Sequence, residues 1–269
     1  MTDLPLCRRQ LWRPQKLVRS PWLRWAIVLA VLVYLYFGIT AVSFDPARVA
    51  RGMTQAMNLL RGFTPPDFIS RGADIRSGIL ESLAITFAAT VLGIILAIPI
   101  ALGAARNLCP LPAYILCRAI VTFARSFQEV VIGIFFVALF GFGPFAGVLT
   151  LAFAGIGFLA KLLAEEIETV EPETIDAIRA TGASWLQVVT WAILPRVAPR
   201  FIGLSLYRLD INFRESAIIG VVGAGGIGAT LNTSFSRYEY DSAAAILILI
   251  VAIVFICEVF SGYIRKAIL

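Results

Sequence analysis

Two groups of residues in this chain have types and spacing that could do chemistry. The first is the stretch SAIIGVVGAGGIGATLN, where Gly223, Gly225 and Gly228 fall on the spacing G-x-G-x-x-G. After a buried strand and before a helix, that spacing lets backbone N–H groups approach a pyrophosphate, with an acidic residue about twenty positions on for the ribose. Glu239 and Asp241 lie not far downstream. The second group is charged: Arg125 and Glu129 are four apart, and on a helix Asp210 and Arg214 can pair on one face while Arg208 and Glu215, seven apart, share another. A guanidinium offers a bidentate fit to phosphoryl oxygens, and it also pairs with a carboxylate to fix the packing of helices. The chain has no histidine, so the commonest general base and metal ligand are both missing. Cys7, Cys109, Cys117 and Cys257 form no C-x-x-C pair and read as reduced thiols without a role. No catalytic set and no metal site is expected.

Composition decides what these groups sit in. The 269 residues are 59% hydrophobic and only 15% charged, against about 25% charged in a soluble domain. This is the composition of an all-α integral membrane protein. A basic tail over 1–24, with Arg8, Arg9, Arg13, Lys16, Arg19 and Arg24, precedes the run WAIVLAVLVYLYFGITAVSF. That flank predicts a retained first span with a cytoplasmic N-terminus, and residues 25–269 read as one transmembrane domain. Further spans are expected over 83–104, 120–140, 145–163, 201–222 and 243–260, six in all, with Arg265 and Lys266 returning the C-terminus to the cytoplasm. Five arginines between the first two spans weaken that charge asymmetry. In the same loop Val49, Met53, Met57 and Leu60 recur at helical spacing and predict a short amphipathic helix. Gly223 therefore follows a hydrophobic helix, no βαβ pattern exists, and the dinucleotide reading fails. The net charge of +6 is scattered over loops and tails without a nucleic-acid motif.

The loop over 164–200 is polar, helix-forming and, by the span count, cytoplasmic. Within it EPETIDAIRATGASWLQVVTWAILP, residues 171–195, resembles the coupling motif of bacterial ABC importer permeases: E-A-A, three residues, Gly, nine residues, I-x-L-P. Asp176, Ala177 and Ile178 stand for E-A-A, Gly182 for the glycine, and Ala192-Ile193-Leu194-Pro195 for the end. Asp for Glu, Ile for Ala and Ala for Ile are the departures. Physically the segment reads as two short helices about a glycine, since Glu171-Pro172 suits a helix start and Gly182 permits a tight turn. GFTPPDF at 62–68, GFGPFAGVL at 141–149 and NFRESAIIGVVGAGGIG at 212–228 look like the phosphonate and phosphite branch, although VGAGGIG is also similar to methionine-importer permeases.

The resemblance implies a six-helix permease of the type I ABC importer fold, working as a homodimer and without catalysis of its own. Asp176, Ala177, Ile178, Thr181 and Gly182 would dock on a dimer of ATPase subunits. ATP and magnesium would be held there, since no G-x-x-x-x-G-K-[ST] occurs in this chain and no cofactor is expected in it. A periplasmic or lipid-anchored binding protein would deliver a small phosphorus oxyanion across the inner membrane. An importer of methionine or another amino acid is the alternative within the family, and a membrane enzyme or an uncoupled channel the alternatives outside it. Arg125, Glu129, Arg208, Asp210, Arg214 and Glu215 are candidates for an anion path or for internal ion pairs. Gly223, Gly225, Gly226 and Gly228 are read as packing or hinge positions at the end of the fifth span.

Overall fold

A bilayer core offers no water to backbone groups, so an apolar chain must close its hydrogen bonds within helices. The computed structural model describes residues 20–41 and 46–268, and every regular element among them is helical. Most of the basic tail and Cys7 lie outside the described residues. The chain divides into two units, residues 1–58 and 59–269. The first holds α1 (Pro21–Ala41), apolar along its whole length, and most of α2 (Pro46–Gly62). Helix α2 is the amphipathic helix expected from Val49, Met53, Met57 and Leu60.

The second unit is built along α3 (Gly72–Ala104), whose 33 residues make a rod about 50 Å long. It carries residues of three buried clusters in succession. Ile75 packs with Ile227, Leu231 and Ile246. Ile85 and Ala89 pack with Val137, Leu151 and Ile219. Ala97 and Ala101 pack with Leu159, Ile167, Val188 and Ile193. Helix α6 (Pro144–Glu168) lies along α3 on small residues: Ala89, Gly93, Ala97 and Ala101 on one side, Ala152, Gly155, Ala160 and Ala164 on the other. A Cβ at Gly93 would stand 3.5 Å from the Ala152 carbonyl oxygen and 3.7 Å from the Cα of Gly155. Lipid tails are as apolar as leucine, so close backbone approach supplies the attraction that burial supplies in water.

The span expected over 120–140 is not one helix. Helices α4 (Leu111–Ser126) and α5 (Glu129–Phe140) meet at 92°, with Phe127 and Gln128 extended between them. The break has neither proline nor glycine. Its mark in the sequence is polarity, because Arg125, Ser126, Gln128 and Glu129 interrupt an apolar run. After α6 come α7 (Pro172–Ala180), α8 (Trp185–Val188), a π turn at Val189–Ile193, α9 (Leu194–Val221), α10 (Ile227–Ser236) and α11 (Tyr240–Ile268). Among the described residues, α1, α3, α6 and α11 are each long and apolar enough to cross a membrane, and the bent α4–α5 pair makes a fifth candidate. The span expected over 201–222 corresponds to α9, which has 28 residues but carries six charges. Its length suffices and its apolarity does not.

Helix α10 lies between the spans expected over 201–222 and 243–260. The chain turns into it through Gly223, Gly225 and Gly226, at φ of +100°, +79° and +74°, a region costly for any residue with a Cβ. Helices α9 and α10 then cross closely: a Cβ at Gly220 would lie 2.8 Å from the Cα of Gly228, and one at Gly228 would run into the Ala217 carbonyl oxygen. The Ile227 N–H donates to Ser82 Oγ on α3 at 2.9 Å. Gly220→Ala and Gly228→Ala should each cost about 1–3 kcal/mol by overpacking and lower the thermal midpoint in detergent by several degrees. Gly262→Ala on α11, where a Cβ meets nothing within 4 Å, should leave it unchanged. Intrinsic tryptophan fluorescence during heating checks the contrast.

Candidate functional site

The segment between α6 and α9 folds as a hairpin of two short helices. Glu171 precedes α7 and Pro172 opens it, where its missing N–H costs nothing. Helix α7 ends in a turn in which Thr181 Oγ1 donates to the Ile178 carbonyl at 2.8 Å and the Gly182 N–H to Arg179 at 2.9 Å. Gly182 has φ +81° and nothing within 4 Å of a Cβ, so backbone conformation alone demands glycine there. Gln187 Oε1 accepts from the Ser184 N–H at 2.7 Å and starts α8. The Leu194 N–H then bonds five residues back, to the Val189 carbonyl. This π turn adjoins Pro195, which has no N–H to continue an ordinary helical ladder.

One face of the hairpin is anchored and the other open. Ile175, Val188, Ala192 and Ile193 are buried in the cluster around Ala97 and Leu159. Trp185 Nε1 donates to the Leu108 carbonyl in the α3–α4 turn at 3.2 Å. That turn is tied to the end of α6, since Glu168 Oε1 accepts from Arg118 Nη2 at 2.9 Å and from the Arg106 N–H at 2.8 Å. Asn107 Nδ2 adds a bond to the Ile167 carbonyl at 2.9 Å. Burial pushes the thiol of Cys109 in this turn up, and Cys117 beside it adds to the effect. On the open face Asp176, Ala177, Thr181 and Gly182 are exposed and Ile178 is half-buried. Ile178, Thr181, Gly182, Ala183, Gln187 and Trp191 line a shallow groove there. The Asp176–Arg179 pair, at 3.7 Å and exposed, contributes little stability. Trp185, Glu168 and Arg118 stand at no fixed letter of the coupling motif. Their roles depend on contacts 50 to 77 residues away.

The charged residues separate into two sets. Arg208 on α9 is 3% exposed, and its Nη2 is shared between Glu129 Oε1 at 3.2 Å and Glu215 Oε2 at 3.3 Å. Its guanidinium carbon lies 5.7 Å from the centre of the Phe158 ring, and Gly155 leaves it room, a Cβ there standing 3.8 Å from Nε. Arg214 Nη2 approaches Asp210 Oδ2 at 3.4 Å one helical turn away. The helical spacings on α9 thus produce both pairs read from the sequence. Arg125 and Glu129 do not pair. The break at Phe127–Gln128 puts them on different helices and turns Glu129 toward Arg208, while the stem of Arg125 packs at Gly157. Beside this set Asn212 Nδ2 donates to Thr90 Oγ1 at 2.8 Å, a buried cross-link between α9 and α3. Among the described residues no group of three or more Cys, Asp and Glu could hold a metal ion.

Comparison with known proteins agrees with this arrangement. Residues 89–269 match the family described as binding-protein-dependent transport system inner membrane component. The chain is 38% identical over 226 residues to the phosphate-import permease protein PhnE of Mycolicibacterium smegmatis, covering 84% of this chain and 42% of that protein. It is 37% identical over 244 residues to the phosphite transport system permease protein PtxC of Stutzerimonas stutzeri, covering 90% and 87%. The chain thus spans less than half of the first relative and most of the second. Among solved structures, an inward-facing MetNI methionine ABC transporter aligns with a TM-score of 0.62 at 24% identity, over 72% of this chain and 96% of that one. That likeness is one of fold.

The shared guanidinium makes a testable prediction. Arg208→Met alone strands two carboxylates, a loss of about 3–5 kcal/mol for a broken buried pair, and should leave little monodisperse protein after extraction. Combining it with Glu129→Gln and Glu215→Gln should recover most of the yield, measured by size-exclusion chromatography.

Proposed function

The chain belongs to the binding-protein-dependent transport system inner membrane component family, and on that premise we propose that it is the permease of an ATP-driven importer of a phosphorus oxyanion such as a phosphonate or phosphite. It is a transport component and not an enzyme. The observation that carries the reading is the anchored hairpin: an exposed helix–glycine–helix surface fixed on its inner face to the ends of α3, α4 and α6. A rigid surface of that kind passes a push from a partner into the helices that must move. The partner is an ATPase dimer that binds ATP and magnesium, and Asp176, Ala177, Ile178, Thr181 and Gly182 meet it. The similarity to phosphate and phosphite permeases at 37–38% identity favours the oxyanion over an amino acid.

The assembled importer contains two copies of the chain and receives its substrate from a binding protein outside the membrane. Helix α9 completes the six spans, tolerated in the bilayer because its charges face protein and the path instead of lipid. Both termini then lie in the cytoplasm. The trio of Arg208, Glu129 and Glu215 holds α5 against α9, while Arg125 and Arg214 remain exposed for the path.

Substitutions in the hairpin test the reading. Proline cannot adopt φ +81°, so Gly182→Pro should break the turn, and Asp176→Lys reverses a charge on the open face. Each should lower substrate-stimulated ATP hydrolysis of the reconstituted complex by about tenfold or more, equivalent to about 1.4 kcal/mol of coupling, with the permease still inserted. Undiminished stimulation in both variants would remove the docking assignment.

A further inference from the structure

Along α9 an exposed stripe runs through Tyr207, Arg214, Ile218 and Val221, with Ile211 half-buried between the first two. These positions recur at intervals of three and four residues and so share one helical face. Arg214 stands 20 residues into the helix and seven before its end, about 30 Å and 10 Å from the two termini. The stripes of α11 and α3 that face outward are hydrocarbon, as at Val251, Phe255, Val259, Leu83 and Phe87. A guanidinium exposed over 54% of its side chain in mid-helix does not belong against lipid. Its one hydrogen bond among the described residues, 3.4 Å to Asp210, is long and uses a single arm of a five-donor fork. Arg208, by contrast, is enclosed and shared by two carboxylates.

We propose that the Arg214 residues of two copies of this chain face each other across the path and form a transient clamp for a doubly charged tetrahedral phosphorus oxyanion. The inference rests on the importer function above and names the residue that reads the charge of the cargo. One chain supplies one guanidinium on one wall, and a second copy completes the site with another. Phosphoryl oxygens accept shorter, bidentate bonds from Arg214 than Asp210 does in this geometry. Asp210, nine-tenths buried on the same helix, takes the guanidinium back when the anion leaves. Binding is thereby kept weak enough for passage.

The test uses the whole complex, with ATPase and loaded binding protein, reconstituted in vesicles and supplied with methylphosphonate or phosphite. Arg214→Gln should cut the maximal uptake rate by about tenfold or more, with the affinity of the complex for the binding protein unchanged. Arg214→Lys, which keeps the charge and loses the fork, should recover part of the rate. Single cysteines at Ile211 or Ile218 should crosslink the two copies. A double Asp210→Asn, Arg214→Gln variant should remain slow; full recovery would reduce Arg214 to a structural partner and overturn the clamp. Absence of crosslinks in an active complex would overturn it as well. Normal uptake by Arg214→Gln defeats the clamp alone, whereas a wild-type complex that moves neither anion defeats the importer reading beneath it.

Discussion

The close approach of α3 and α6 is the contact on which the remaining packing depends. Two apolar helices in lipid gain little by hiding from solvent, so their association rests on dispersion between well-fitted surfaces. Gly93 and Gly155 bring the backbones together, and alanines on both sides keep them close along the seam. With α3 and α6 fixed, the other helices find their places by contacts that need a rigid reference: Ser82 receives the Ile227 N–H, Thr90 receives Asn212, and the ends of both helices receive the α3–α4 turn. A larger side chain in the seam would displace all of these together.

Gly155 also explains why a charge can be buried next to that seam. The space left by its missing side chain lies beside the Arg208 guanidinium, which rests on Phe158 and is neutralised from α5 and α9. An ion trio in this position costs desolvation, and its return is specificity: only the bent arrangement of α4 and α5 brings Glu129 to Arg208. The 92° break is thus the conformation that brings a second carboxylate to the guanidinium. Arg125, left behind on α4, closes that helix with a positive charge in its last turn, where the helix dipole favours one.

At the other end of the seam the hairpin of α7 and α8 is part of the same rigid body. Its buried residues belong to the cluster that encloses Ala97 and Ala101, and Trp185 bonds to a turn that Glu168 holds against α6. Force applied to Gly182 and its neighbours therefore reaches α3, α4 and α6 through short, directional contacts. The glycine turn between α9 and α10 sits beyond the opposite part of the bundle, packed on Ser82 and on the Ala224–Gly147 contact.

Much of this was legible in the sequence because it depends on local properties. Apolar run lengths predicted the membrane helices, since bilayer thickness and helical rise are constants. Glu171-Pro172 and Gly182 predicted the hairpin through rules that act within a few residues. The i, i+4 and i, i+7 spacings on α9 predicted the Arg214–Asp210 and Arg208–Glu215 pairs, because a continuous helix fixes those geometries. The same rule failed for Arg125 and Glu129, where nothing local forces the helix to break and a partner 79 residues away decides it. Helix α10 escaped for a related reason: its ten residues are too few to register as a span, and contacts with α3, α9 and α11 bury them. Spacing along one element is determined by bond geometry, which the sequence carries. The choice between a local partner and a distant one is a competition of energies across the fold, settled only when the helices have packed.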